Sequence, residues 1–174
     1  MLMSNLQASL RIIIGESTEP SEVVQRLNYI FCRNIRLTKF VTLFLARYRD
    51  DSHELTYCNA GHNPPLLLRG DNDRVQLLPT GAAIGLIDQT DFQQTEISLR
   101  AGDRLFMYTD GVVESLNPQQ EEFGKKRLSD TVRSSLSFSA AEICKRIAEQ
   151  LQAFVAKSPQ WDDITLVVIK VKPA

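Results

Sequence analysis

Two stretches of this chain put carboxylates where a sheet would end. Asp110-Gly111 follows the apolar run DRLFMYT, and Asp162-Asp163 precedes ITLVVIKV. A carboxylate at the lip of an apolar core costs several kcal/mol unless hydrogen bonds or a positive charge offset it. If the two runs are antiparallel neighbours, the exit of one lies beside the entry of the other, and the acids meet at one edge of the sheet. Bare, they would repel. Mg²⁺ or Mn²⁺, which take carboxylate and water oxygens, would relieve that repulsion, and Gly111 would let the backbone approach an ion. Two such ions close together would deprotonate a shared water and clamp a phosphoryl group for in-line attack. The same residues fit a plainer reading, with Asp-Gly a turn after a strand and Asp-Asp a solvated loop. Spacing alone leaves both readings open.

The elements that would have to position these acids follow from periodicity. Leu2, Leu6, Leu10 and Ile13 fall at helical spacing with no capping residue before them, so the chain is expected to open inside an amphipathic helix with a segment missing upstream. Thr18-Glu19-Pro20-Ser21-Glu22 supplies cap and first-turn chemistry for a second helix carrying Val23, Val24, Leu27, Ile30 and Phe31. FVTLFLARY reads as a strand apolar on both faces, and LTYCNA as its hairpin partner. Further strands are expected at PLLLR, RVQLL, FQQTEISL, DRLFMYT and ITLVVIKV, separated by GDND, TGAAIG and RAGD turns. Phe123 to Ser135 reads as a helix, and Ser139-Ala140-Ala141-Glu142 as a capping box before another. With 174 residues and no linker or repeat, the pattern predicts a single α+β domain over 1–174.

Composition narrows the partners. A net charge of −1 provides no global field to draw nucleic acid or an anionic membrane, and a two-metal nuclease would need a basic groove that the sequence lacks. No apolar run approaches the ~20 residues that cross a bilayer, and the first residues do not form a signal peptide. Cys32, Cys58 and Cys144, odd in number and scattered, read as reduced cysteines of a cytoplasmic protein.

Read together, LTYCNAGHNPPLLLR, TGAAIGL, AGDRLFMYTDGVVES, EEFGKKRL and WDDITLVVIKV form an ordered series. It closely resembles the C-terminal two-thirds of bacterial protein phosphatases of the sporulation stage II protein E type, within the metal-dependent (PPM, type 2C) serine/threonine phosphatases. The resemblance implies a β-sandwich flanked by helices and two Mn²⁺ or Mg²⁺ ions whose shared water attacks phosphoserine or phosphothreonine without a covalent enzyme intermediate. Carried over to this sequence, it implies metal ligation by Asp110 and Asp162, the catalytic acids, with Gly111 beside them and Asp163 ligating or orienting. The substrate implied is a phosphorylated bacterial regulator such as an anti-sigma-factor antagonist. The two N-terminal helices resemble those through which an upstream sensor or receiver domain, or homodimer formation, controls metal binding. The family also carries an upstream Asp-Gly pair, in a motif like DVSGHG, that has no counterpart here, so weaker metal binding and open sheet edges are expected.

Other residues admit two readings each. His62 in NAGHNPP suits a general acid by its near-neutral pKa, but a histidine fixing a turn before Pro64-Pro65 is the simpler reading; His53 has no supporting constellation. Gly81 and Gly85 of TGAAIG lack the lysine of a phosphate-binding loop and read as turn punctuation. Lys125, Lys126 and Arg127 read as a solvated helix face. Trp161 is either an anchor for a substrate protein or a side chain packed on its own sheet. Two functions follow: a phosphoprotein phosphatase, or a catalytically inactive module that keeps the fold and a partner surface.

Overall fold

The computed structural model describes residues 2–34, 40–70, 73–135 and 137–172. Its chain divides into two compact units, one formed by residues 1–64 and 78–99 and the other by 65–77 and 100–174. The expected α+β class is what the structure has: helices and two antiparallel sheets.

In the first unit, α1 (Leu2–Ile14) and α2 (Pro20–Asn34) bury the stripes read from the sequence, including Leu6, Ile13, Val24, Leu27 and Phe31. They are joined by a turn at Gly15, whose N–H reaches back to the Ile12 carbonyl at 3.1 Å. β1 (Leu43–Arg49) pairs with β2 (Glu54–Ala60), and β2 pairs with β5 (Thr95–Ser98), giving the order β1-β2-β5. The expectation that FVTLFLARY is buried on both faces is corrected: β1 is an edge strand whose residues are half-buried or exposed, and the buried strand is β2, between its two neighbours.

Asn28 is fully buried on α2, and besides accepting from the Cys32 thiol one turn on, its side chain bonds one loop at three points. Its amide donates to the carbonyls of Ile87 at 2.9 Å and Asp88 at 3.3 Å, and its Oδ1 accepts the Gly85 N–H at 2.8 Å. The glycines of TGAAIG are structural, as expected. A Cβ on Gly81 would run into the Phe92 ring, and Gly85 holds φ +82°, where side chains are disfavoured.

In the second unit, β3 (Leu66–Arg69), β4 (Asp73–Gln76), β6 (Arg104–Tyr108) and β7 (Leu166–Lys170) form an antiparallel sheet in the order β4-β3-β6-β7. Part of the GDND turn between β3 and β4, residues 71 and 72, lies outside the described residues. Leu66 and Leu68 of β3 and Phe106 of β6 share a core with Leu128 and Val132 of α4 (Gly124–Arg133) and with Ile143, Ile147 and Leu151 of α5 (Ala140–Val155). The alternation of β7 sends Leu166 and Val168 into this core and leaves Val167 and Ile169 exposed at 44% and 46%. Ser139 and Glu142 make the expected capping box. A short helix, α3 (Asp110–Val113), follows β6 directly and was not anticipated from the sequence.

Two outcomes follow. Asn28→Ala leaves a buried N–H and two carbonyls unpaired, so denaturant titration should show a loss of about 3 kcal/mol, at ~1–3 kcal/mol for each such group. The Glu142 carboxyl is held below the usual range by hydrogen bonds from the Ser139 hydroxyl and backbone N–H. A depressed carboxylate pKa contributes stability above its unfolded value, and that contribution is lost as pH falls through the folded value. The melting-temperature advantage of the native chain over Glu142→Ala should therefore be present at neutral pH and shrink through and below the ordinary Glu range near ~4.3.

Candidate metal centre

The pairing of β6 with β7 brings the two acidic stretches together. Their ladder ends at Tyr108 opposite Leu166, with Asp110 leaving one strand just beyond the residues that enter the other. Thr109 extends the pairing past the regular strands. Its N–H donates to the Thr165 carbonyl at 3.1 Å, while its hydroxyl donates to the Asp163 carbonyl at 3.0 Å and accepts the Thr165 N–H at 3.0 Å. That commitment explains why Thr109, at the N-cap position of α3 with extended backbone, makes no side-chain cap.

Gly111 is buried against the opposite loop. A Cβ here would overlap the Asp163 carbonyl oxygen, with the carbonyl carbon at 3.0 Å and the Asp162 carbonyl oxygen at 3.5 Å. Its conservation of space concerns the second acidic stretch directly, and no larger residue fits without moving that stretch. Asp162 is held in turn by the Gln160 side-chain amide, which donates to its carbonyl at 2.8 Å.

The carboxylates themselves are exposed. This corrects the premise that Asp110 sits at the lip of a core at a desolvation cost: the residue is exposed, and the buried one at this corner is Gly111. Asp110 Oδ1 accepts the Gly111 N–H at 3.1 Å and Asp162 Oδ1 accepts the Asp163 N–H at 2.7 Å. Among the described residues, no lysine or arginine forms an ion pair with Asp110, Asp162 or Asp163.

An uncompensated set of oxygen donors around a backbone pressed close by glycine has the chemistry that hard divalent cations require. Its donor count is small. Among the described residues, no group of three or more His, Cys, Asp or Glu side chains is arranged to hold a metal ion. The donors therefore suit a divalent ion that keeps several waters rather than one enclosed by protein.

A cavity of about 450 Å³ opens beside these acids, lined by Gly111 and Asp162 and by the apolar side chains of Leu151, Val155, Trp161 and Ile164. Trp161 is 76% exposed, so the reading in which it packs on its own sheet is corrected. His62 and Arg127, also singled out in the sequence, make contacts within the fold. The His62 N–H donates to Asn59 Oδ1 at 2.9 Å, and its Nδ1 lies 3.2 Å from the Thr42 hydroxyl, which fixes the turn. Arg127 donates to the carbonyls of Glu122 and Phe123 and stacks on Phe154. Burial pushes the thiols of Cys32, Cys58 and Cys144 up, which disfavours reactive thiolates.

The roles of Thr109 and Gln160 were missed in the sequence. A hydroxyl residue placed immediately before the acid at the strand exit was the available signal for Thr109.

Comparison with known proteins places this arrangement in a class, the PP2C-type phosphatase fold. The SiaA-PP2C domain of Pseudomonas aeruginosa superposes with a TM-score of 0.84, at 20% identity, covering 95% of this chain and 67% of that one. The catalytic domain of the serine/threonine protein phosphatase PstP, solved in complex with 2 manganese ions, shares the fold with a TM-score of 0.64 at 16% identity, over 95% of this chain and 78% of that one. The chain belongs to the Stage II sporulation protein E (SpoIIE) family, whose profile matches residues 1–172. Phosphoserine phosphatase RsbU of Bacillus subtilis is 28% identical over 173 residues, covering 99% of this chain and 51% of its own length. The chain spans about a third to a half of the length of the curated relatives it matches.

The geometry generates a direct test of the Thr109 staple. Thr109→Val should cost about 1–2 kcal/mol by leaving the Asp163 carbonyl and Thr165 N–H without their partner, and Thr109→Ser should restore most of it. Amide exchange at Thr165, read by NMR, should accelerate in the valine variant and in Gly111→Ala, but not in the serine variant.

Proposed function

We propose that this chain carries the metal-dependent catalytic apparatus of a phosphoprotein phosphatase that hydrolyses phosphoserine or phosphothreonine on a regulatory protein, such as an anti-sigma-factor antagonist. The observation that carries the reading is the seating of Gly111 on the Asp162–Asp163 backbone, which joins the TDG and DDIT stretches at one corner of a sheet. Membership of the SpoIIE family and the likeness to RsbU support the same chemistry.

In this reading Asp110 and Asp162 hold Mn²⁺ or Mg²⁺, with Asp163 as a further ligand or an orienting group. The metal would supply activation of water toward the phosphate ester and charge to offset the phosphoryl oxygens. This chain's own residues do the positioning. Thr109 fixes the spacing of the two stretches, Gly111 permits their approach, and Gln160 holds the Asp162 backbone. Trp161, exposed at the wall of the adjoining apolar cavity, offers a protein substrate an anchor beside the acids. A cytoplasmic setting, an upstream sensor or receiver domain and a homodimer belong to the same proposal; among the described residues, no helix is long and apolar enough to cross a membrane.

The small donor set favours a second reading, a catalytically inactive module that keeps the fold and binds the same partner. Hydrolysis of a phosphoserine peptide during Mn²⁺ titration separates the two. The phosphatase reading expects saturable, Mn²⁺-dependent turnover that EDTA abolishes. Asp110→Asn or Asp162→Asn should each lower turnover at least ~100-fold, because a lost ligand removes several kcal/mol of charge stabilisation. Absence of metal-dependent turnover by the native chain overturns that reading and leaves the interaction module.

A further inference from the structure

A second cavity in the same unit has the opposite character. Its volume is about 270 Å³, and its wall includes Arg74 of β4, Tyr108 of β6, and Lys125, Lys126, Ser129 and Asp130 of α4. Three cations from two elements thus face one carboxylate, in a chain whose overall charge is −1. Arg74 is anchored along the wall, its guanidinium donating to the Ser129 hydroxyl at 3.1 Å.

Two features of this cavity bear on what it could hold. Tyr108 is only 3% exposed, and its ring belongs to the core, yet it lines the cavity and its hydroxyl has no hydrogen-bond partner among the described residues. The hydroxyl is not among the fully buried unpaired atoms, so it opens on the cavity, where a ligand can reach it. Lys125 and Lys126 occupy the first turn of α4, which has no acidic residue there and no side-chain cap. Lysines at the positive end of a helix dipole are locally unfavourable, and a bound anion would reverse the sign of that effect.

We propose that this cavity binds a phosphate-class oxyanion, held by Lys125, Lys126 and Arg74 and by hydrogen bonds from the Tyr108 and Ser129 hydroxyls. Asp130 on the same wall makes the site selective. A phosphate oxygen that still carries a proton donates to a carboxylate, whereas sulfate, with no proton at neutral pH, is repelled by it. The same contrast favours free hydrogen phosphate over the largely dianionic phosphate of a phosphorylated side chain. The site is separate from the proposed metal centre and does not require its chemistry.

Calorimetric titration of the chain with sodium phosphate in EDTA, at neutral pH and constant ionic strength, tests this with no metal present. Saturable binding is expected. The double variant Lys125→Glu/Lys126→Glu should weaken it at least ~10-fold, and Tyr108→Phe about 3-fold, as loss of charge-assisted and neutral hydrogen bonds implies. Asp110→Asn/Asp162→Asn should leave it intact. Sulfate should bind more weakly than phosphate, and Asp130→Asn should remove that difference. A phosphoserine peptide titrated in parallel distinguishes the sources, with weaker binding than free phosphate expected. Absence of saturable phosphate binding, binding that survives the double charge reversal, or sulfate matching phosphate in the native chain would each overturn the proposal. The two lysines are exposed, so their variant decides the matter even if Tyr108→Phe perturbs the core.

Discussion

The hydroxyl of Thr109 sits where two strands hand over to two acidic loops, and the corner depends on it. One oxygen donates to the Asp163 carbonyl and accepts from the Thr165 amide, so the β6–β7 pairing continues one step beyond its regular register. Gly111 then closes the gap from the other side. Neither residue carries the chemistry assigned to the aspartates. Together they determine that Asp110 and the Asp162–Asp163 pair share one corner, with no cation of the protein's own pairing with them among the described residues. The consequence is a concentration of hydrated negative charge held in place by backbone contacts, which is an arrangement that an external cation can exploit.

Much of this was legible in the sequence because it depends on period and punctuation. The stripe on α2, the alternation in β7, the capping box at Ser139 and Glu142 and the glycines of TGAAIG are local signals, and each has a local physical cause. The convergence of the acids was also readable, since it needs only antiparallel neighbours. What escaped was decided by tertiary context. The degree of burial of β1 depends on its place at a sheet edge, which composition does not encode. The exposure of Asp110 depends on the helix that begins immediately at that residue and turns the chain. Asn28, an unremarkable polar residue in a helical stripe, gains its role only from a loop that arrives nearly sixty residues later.

Two of the cavities of the second unit differ in character. One couples an apolar wall to carboxylates, and the other couples a core phenol to three cations. The acidic corner and the three cations are thereby kept at different places in the unit, so a cation drawn to one and an oxyanion drawn to the other do not compete.

The strand order of that unit also bears on how the protein is made. β6 is separated in sequence from its neighbour β7 by the helices α3, α4 and α5. The acidic corner therefore cannot exist on a nascent chain until translation has passed β7, and any metal chemistry it supports is withheld until then.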